Sequence, residues 1–286
     1  MHWLTYSIAA TLLLGIAASF YKLPSFKGYS SFVSTVWTNA FSALFITAAL
    51  LIFDIRYLTD LATISWYAIG WGICFAITML LQKLLLQHVE TNSSYPVTSS
   101  IGSVVTVLIG ITVLSEHISL LQGLGIMIML TSVFLYTAKG GSFPLTRKTV
   151  FLAGGSIVSS TAAKYIQKLG ADNDTVSHFM MWQFIGATLF ALCIAYIFEK
   201  NALSEIIKVR KYWKGAFLIG FFSVLGGYAI LKALSLGPLS GVYAVHPAYT
   251  LIAGIFGAVF FREKLTMRKI ILALLAIAGI VLLRIG

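Results

Sequence analysis

The stretch SGVYAVHPAYTLIAGIFGAVFFREKL, from Ser240 to Leu265, decides the fold of this chain. It is apolar over a length that can cross a bilayer, and it ends in a charged turn. A second stretch, SSYPVTSSIGSVVTVLIGITVLSEHI from Ser93 to Ile118, lies 147 residues earlier and has the same layout, with Glu116 where the later copy has Glu263. The chain is therefore predicted to contain two copies of one helical unit.

The composition predicts an integral membrane protein. Of the 286 residues, 59% are hydrophobic and only 10% are charged, so a water-soluble globule would lack the polar side chains to cover its surface. The net charge of +11 resides in basic residues between apolar runs, which is typical of membrane orientation signals and argues against a nucleic-acid partner. Cys74 and Cys193 lie inside apolar runs and match no metal-ligand spacing, so we predict no metal and no cofactor.

Ten apolar segments follow one another along the chain. Each is roughly twenty residues long, as a ~30 Å hydrocarbon core requires of a helix. Barrel strands would be about half as long and would alternate in polarity, so we expect an all-α polytopic membrane protein with ten transmembrane helices. The segments are 3–21, 31–53, 64–87, 93–114, 119–138, 149–169, 175–198, 213–235, 239–261 and 265–285.

The ten segments divide into two sets of five. Residues 1–138 are predicted to form the first five-helix repeat, 139–148 a linker, and 149–286 the second five-helix repeat. Because five is odd, the second copy must enter the membrane from the opposite side, which gives a 5+5 inverted-topology repeat. Repeats of this kind are characteristic of secondary transporters, which bind their solute near the bilayer midplane.

The basic residues predict an orientation. Fifteen of the 20 lysines and arginines lie in or beside the loops that follow odd-numbered helices. The positive-inside rule places these loops in the cytoplasm and both termini outside, for a protein of the cytoplasmic (inner) membrane.

The closing half resembles a known family. The stretch ALSLGPLSGVYAVHPAYTLIAGIFGAVFFREKLT, from Ala233 to Thr266, and AIAGIVLL in the last helix resemble the EamA-type ten-helix transporters of the drug/metabolite transporter superfamily. The resemblance implies a central cavity lined by the first four helices of each repeat, the fifth and tenth helices outside, and metabolite transport by alternating access. Small four-helix relatives carry a glutamate in their first helix, but helices one and six here have no acid. Cationic-drug antiport is therefore not inherited from the resemblance.

His246 is the first candidate for contact with a solute. An ionisable side chain inside a span is costly unless it faces a cavity or a partner, so it is a functional candidate by default. Pro247 follows it and removes a backbone donor, which predicts a bend or a loosened turn at this point. The alternative is a neutral histidine that makes one interhelical hydrogen bond.

Lys164 is the second candidate. It shares a helix face with Ser156, Ser160 and Gln167, which predicts a polar stripe aimed at the interior. An unpaired lysine facing a cavity favours a solute with a carboxylate or a phosphate. The alternative is that the side chain reaches the lipid headgroups. The same two interpretations apply to Lys83 and Lys232.

Four further helices offer polar or aromatic side chains at helical spacing. Tyr95 and Ser99 in helix four, and Tyr249 in helix nine, lie on faces that either line a cavity or pack closely. Two more helices pair an indole with an amide, an arrangement that suits a flat or amphipathic metabolite. Interfacial anchoring is the alternative for both tryptophans. The two pairs are Trp37 with Asn39 in helix two and Trp182 with Gln183 in helix seven.

Charged groups in the turns are interpreted as structural. Glu116 and Glu263 each end a helix, where a carboxylate caps the next helix or pairs with a base such as Lys264. Ser119 and Gln122 have the spacing of a capping box that begins helix five.

We therefore predict a secondary, non-ATP-driven transporter that exports a small organic metabolite such as an amino acid or organic acid, by rocking one five-helix repeat against the other. Its expected partners are that small-molecule solute and membrane lipids, and the chain is either a monomer or a homodimer. One alternative is a proton-coupled exporter of drugs or organic cations. Another is a membrane-embedded lipid-modifying enzyme or a non-transporting subunit. No clustered acid, base or metal ligands support an enzyme, so none is predicted.

Overall fold

The chain folds into a bundle of long helices. The structure is a computed structural model that describes residues 2–20, 30–53, 64–86, 88, 91–137, 146–199, 201–261 and 266–285. The described residues form ten long helices and no strand. These are α1 (His2–Phe20), α2 (Ser31–Phe53), α3 (Trp66–Leu86), α4 (Thr91–Thr112), α5 (Leu120–Thr137), α6 (Arg147–Asn173), α7 (Val176–Phe198), α8 (Val209–Leu236), α9 in two pieces, α9a (Leu239–Val245) and α9b (Tyr249–Phe261), and α10 (Met267–Ile285).

Their length and composition are those of a membrane protein. Within the described ranges, five helical segments are long and apolar enough to cross a bilayer, and shorter apolar helices accompany them. Many large apolar side chains on the outside of the bundle are exposed, as they are on a surface that faces lipid. The predicted all-helical class is confirmed, and the chain is an integral, multi-pass membrane protein.

Local sequence signals explain where several helices begin. The capping box predicted at the start of α5 is confirmed, because Ser119 and Gln122 each accept a hydrogen bond from the other's backbone amide, at 3.2 and 3.1 Å. The hydroxyl of Thr175 accepts from the amide of His178 and begins α7. The predicted linker at 139–148 lies largely outside the described residues.

The two predicted repeats interleave in space. The most extensive packing joins helices of one repeat to helices of the other: α1 with α8, α3 with α6, α2 with α7, and α5 with α10. Each predicted repeat therefore buries its main apolar faces against the other. Two mixed groups result. One contains α1, α8 and α9, and the other contains α3, α4 and α6.

The helices α5 and α10 form a peripheral pair. Their backbones approach so closely that a Cβ on Gly125 would lie 2.7 Å from the carbonyl oxygen of Gly279. Exposed leucines and isoleucines cover the far side of α10, including Ile271, Leu274 and Ile277. These two helices therefore pack at the outside of the bundle.

A short helix, Ala202–Ile206, connects α7 and α8. Its Glu205 carboxylate accepts hydrogen bonds from the ammonium groups of Lys208 and Lys211, each at 2.7 Å. These two hydrogen bonds lower the pKa of the Glu205 carboxyl to about 2, and the bond from Lys208 has the largest effect. Lys208 in this connection and Lys211 in the first turn of α8 are thus paired within the protein.

Candidate functional site

A break in α9 creates the site. Because Pro247 has no backbone N–H, the α-helical ladder cannot run through it, and residues His246–Ala248 form a single 3₁₀ turn between α9a and α9b. The predicted interruption at Pro247 is confirmed. It places His246 at the joint between the two helical pieces.

His246 lies between two tyrosine rings. The Tyr243 ring meets the imidazole edge-on at 5.7 Å between centroids, and the Tyr249 ring lies at 5.1 Å with a tilt of 36°. The Nδ1 atom is buried and has no hydrogen-bond partner among the described residues. A buried polar nitrogen without a partner is costly, so a bound solute or water that hydrogen-bonds to it would be favoured.

Lys164 points into the bundle from α6. Its ammonium lies 5.3 Å from the centroid of the Tyr243 ring, on the other side of the joint. A Cβ on Gly102 of α4 would be 3.8 Å from the same nitrogen, so the ammonium lies beside the α4 backbone at this glycine. Lys164 also interacts electrostatically with His246. The side chain therefore contacts α4 and α9 and does not extend towards the headgroups.

No carboxylate pairs with Lys164 in the described part of the chain. The ion pairs found there join Lys168 to Asp172 and Glu205 to two lysines of the α7–α8 connection, and none reaches the interior cluster. Lys164 is half-buried, and a cation in that position that lies over one aromatic ring is incompletely compensated. Lys164 can thus bind the acidic group of another molecule.

Tyr243, which the sequence did not nominate, and Gln167, which it placed on the polar stripe of Lys164, hold the cluster together. The buried Tyr243 hydroxyl donates a hydrogen bond of 2.5 Å to Oε1 of the buried Gln167 on α6. Tyr243 lies one turn before His246 on α9, and Gln167 lies one turn after Lys164 on α6, so both belong to faces already marked by the nominated residues. A tyrosine at that spacing, whose hydroxyl needs a partner when buried, was the available signal.

The helix α4 closes the third side. The carbonyl oxygen of Gly102 accepts hydrogen bonds from the hydroxyls of Thr106, at 2.6 Å, and Thr161 of α6, at 3.4 Å. Ser99 is half-buried and lies one turn earlier on α4, on the same face as Gly102. Tyr95 belongs to the same helix, and its side chain lies outside the described part of the structure.

The pair Trp37 and Asn39 lies elsewhere. The indole N–H of Trp37 donates to the carbonyl oxygen of Ile206, at 3.2 Å, at the end of the short helix between α7 and α8. Both α2 and α6 begin at that end of the bundle. Lys164 lies about eleven residues further along its helix than Trp37 does, which is roughly 16 Å along a helix axis. Asn39 is buried, and its Nδ2 has no hydrogen-bond partner among the described residues. Trp37 and Asn39 therefore form a separate polar feature, near the end of the bundle where the short helix between α7 and α8 lies.

The pair Trp182 and Gln183 lies on α7. Trp182 is half-buried and packs against the largest apolar core. Gln183 is buried, and its Oε1 has no hydrogen-bond partner among the described residues. Like Nδ1 of His246, this oxygen marks a buried polar position that a solute or water can satisfy.

Glu116 caps a helix, but not the predicted one. Its carboxylate accepts hydrogen bonds from the amides of Leu239, at 2.5 Å, and Ser240, at 2.9 Å, at the start of α9a. The prediction named the next helix in sequence, α5, which Ser119 and Gln122 already cap. Glu263 and its neighbours Arg262 and Lys264 lie outside the described residues, as does the side chain of Lys83.

The cluster brings several polar and aromatic groups together. It contains one ammonium, one imidazole, a tyrosine hydroxyl and two further aromatic faces. Within the described ranges, no group of three His, Cys, Asp or Glu side chains could hold a metal ion. The arrangement can attract an acidic group electrostatically and pack an organic moiety against aromatic rings.

Three comparisons with known proteins give one family and one fold. Residues 147–285 match the model of the EamA-like transporter family. No curated protein matches the chain in a sequence search. Among 28 solved chains that resemble it, one described only as the crystal structure of a protein has a TM-score of 0.78 over 98% of this chain and 95% of its own. Its sequence identity is 15%, so this likeness shows the fold alone.

Proposed function

We propose that the chain is a secondary transporter of a small organic metabolite, because residues 147–285 match the EamA-like transporter family, which belongs to the drug/metabolite transporter superfamily. The family and the apolar helices together indicate a membrane transporter. Members of the family are generally transporters and not enzymes.

The proposed topology is ten membrane spans in a 5+5 inverted repeat. Ten long helices, a sequence shift that relates helices four and nine, and a family domain over the second half support it. The proposed orientation puts the odd-numbered loops in the cytoplasm and both termini outside, on the basis of the basic residues. Export across the cytoplasmic membrane, by alternating access, is the proposed direction.

The proposed solute site is the junction of α4, α6 and α9. The single observation that carries it is the Lys164 ammonium, which is aimed into the bundle and has no carboxylate partner among the described residues. The solute accordingly carries a carboxylate or a phosphate, as an organic acid or an amino acid does. Tyr249 and the Tyr243 ring would pack against its organic part, and Nδ1 of His246 would bind a polar group.

The remaining nominated residues have subsidiary roles in this proposal. Gln183 and Asn39 each have a buried polar atom without a described partner, and they would line the path that the solute follows between the site and the two membrane surfaces. The indoles of Trp182 and Trp37 flank that path, and Ser99 with Tyr95 would line its α4 side.

A flux assay tests the proposal. Purified protein in liposomes is offered radiolabelled amino acids, organic acids, phosphorylated metabolites, sugars and organic cations. We expect transport of an anionic or zwitterionic solute, its loss in Lys164→Met, and its retention in Lys214→Met, which removes an exposed lysine at the start of α8. If no compound in the panel were transported, or if only cations were, the proposal would be wrong.

The alternative of a proton-coupled cation exporter has less support. Neither α1 nor the part of α6 that lies before Asp172 contains an acid, and the ammonium of Lys164 would repel a cation at the junction. No observation on the described residues favours a lipid-modifying enzyme.

A further inference from the structure

Charged side chains hold the turn between α8 and α9a on both sides. Glu116 accepts from the amides of Leu239 and Ser240, at 2.5 and 2.9 Å. Lys168 donates to the carbonyl oxygens of Leu234, at 2.7 Å, and Gly237, at 3.2 Å. The signs are complementary, because the start of a helix presents unpaired amides and the end of a helix presents unpaired carbonyls.

All four hydrogen bonds join the two mixed groups of helices. Glu116 follows α4, and Lys168 belongs to α6, so both side chains come from the α3–α4–α6 group. The turn belongs to the α1–α8–α9 group, and Trp3 of α1 packs so tightly on it that a Cβ on Gly237 or Gly241 would overlap the indole. The turn is therefore packed on α1, and the four bonds join it to side chains of the α3–α4–α6 group.

These bonds lie at the end of the bundle that is closed by apolar packing. The largest apolar core lies at this end. Its side chains come from the ends of α2, α6 and α8 and from the starts of α1, α3, α7 and α9. Its fully buried members include Phe179, Met180, Leu234, Leu239 and Val242. The cores towards the other end are smaller, such as the one formed by Leu85, Leu152 and Ala153.

The bonds also lie next to the proposed solute site. Lys168 is one turn after Lys164 on the same face of α6, and Ser240 is one turn before Tyr243 on α9a, about 5 Å along each helix. A solute that leaves the junction towards this end must pass between the surfaces that the four bonds hold together.

We propose that Glu116 and Lys168 form a latch, defined as their four hydrogen bonds to the turn Leu234–Ser240, that keeps this end of the transporter closed and must release before this end opens. Hydrogen bonds of this length cannot survive a separation of even a few ångströms, so opening breaks them. The purpose of the latch rests on the proposed transport function, but its existence is tested without any solute.

A buried thiol reports the opening. Ser240→Cys suits this purpose because Ser240 is 1% exposed, its hydroxyl has no described partner, and only its backbone amide contributes to the latch. In a background with Cys74→Ala and Cys193→Ser, the purified protein is treated with a hydrophilic maleimide, and the labelling rate is measured. We expect Glu116→Gln and Lys168→Met each to raise that rate by about tenfold, the factor that corresponds to losing a hydrogen bond with a charged group.

Asp174→Asn is the matched control. Its carboxylate accepts a hydrogen bond from the Ser65 hydroxyl at the same end of the bundle, but both residues flank helices of the α3–α4–α6 group. We expect an unchanged labelling rate in this variant. The proposal would be overturned if both latch variants were labelled at the same rate as Ser240→Cys alone, or if Asp174→Asn raised the labelling rate as much as they do.

Two further outcomes are decisive. If Glu116→Gln alone failed to fold, Lys168→Met would carry the test; failure of both with a folded Asp174→Asn would mean that the bonds stabilise the fold and do not gate it. Fast labelling of the latch variants together with no flux of any metabolite would leave the latch in place and reject the transport function.

Discussion

The hydroxyl of Tyr243 donates a 2.5 Å hydrogen bond to Oε1 of Gln167, from α9a to α6, and both side chains are buried. This bond fixes the ring over which the Lys164 ammonium lies, and the same ring meets His246 edge-on. The two helices belong to different mixed groups. Tyr243 therefore sets the geometry of the cation and the imidazole together, although it reaches neither of them by a hydrogen bond.

Removing both partners of this bond should cost less than the sum of the two single losses. Tyr243→Phe leaves the Gln167 amide buried without its partner, and we expect a loss of about 1–3 kcal/mol in unfolding free energy. Gln167→Leu should cost a similar amount, and the double variant less than the sum, because two apolar groups leave nothing unsatisfied. Thermal unfolding of the three purified variants measures this. Additive losses would show that the bond contributes nothing specific.

The sequence predicted the bounds of the helices and their local caps better than it predicted which residues of different helices contact each other. The bounds expected for the second and seventh segments, 31–53 and 175–198, agree with α2 and α7 to within a residue, because apolar periodicity and length are local properties. The capping box at Ser119 and the break at Pro247 were predicted for the same reason. Each depends on residues within one turn of the feature itself.

Partners across long sequence separations were not predictable in this way. Glu116 caps a helix that begins 123 residues later, and no local rule distinguishes that amide from the nearer start of α5. The carbonyl that Trp37 binds lies in a connection 169 residues away. Tyr243 was not nominated, because its role depends on a hydroxyl whose partner, Gln167, is on another helix.

The Lys164 ammonium should lower the unfolding free energy of the protein, although the proposed binding of an acidic solute depends on it. A half-buried cation without a carboxylate partner is unfavourable, so we expect Lys164→Met to raise the unfolding free energy by about 1 kcal/mol. The same variant should lose any thermal stabilisation by a carboxylate or phosphate solute, because a ligand stabilises only through binding to the folded state. Thermal-shift measurements with and without the solute check both results. A destabilised variant that still responds to the solute would contradict this assignment.

His246 should be required for flux. Its Nδ1 is buried without a described partner, and its ring fills the joint between the tyrosines. We expect His246→Ala to abolish or strongly reduce uptake by reconstituted protein. His246→Phe keeps an aromatic ring and removes the nitrogens, so it should also lose uptake if the nitrogen binds the solute. Wild-type flux in His246→Phe at equal protein density would reduce the residue to a packing role.

Gly110 should tolerate no side chain, because α4 and α9a meet there. A Cβ at this position would lie 3.0 Å from the Cβ of Ser240 and would overlap the Glu116 carboxylate. Gly110→Ala must therefore push apart the surfaces that the Glu116 hydrogen bonds hold together, and we expect a loss of about 1–3 kcal/mol in unfolding free energy. Gly154→Ala in α6 is the control, since a Cβ there meets nothing within 4 Å, and its higher helix propensity should give a gain of up to ~1 kcal/mol. If the two variants unfolded at the same temperature, the close approach of α4 and α9a at the start of α9 would be wrong. In the Ser240→Cys background, Gly110→Ala and Gly154→Ala can also be compared by their maleimide labelling rates. If only Gly110→Ala raised that rate, the separation of the helices and the release of the latch would be one event.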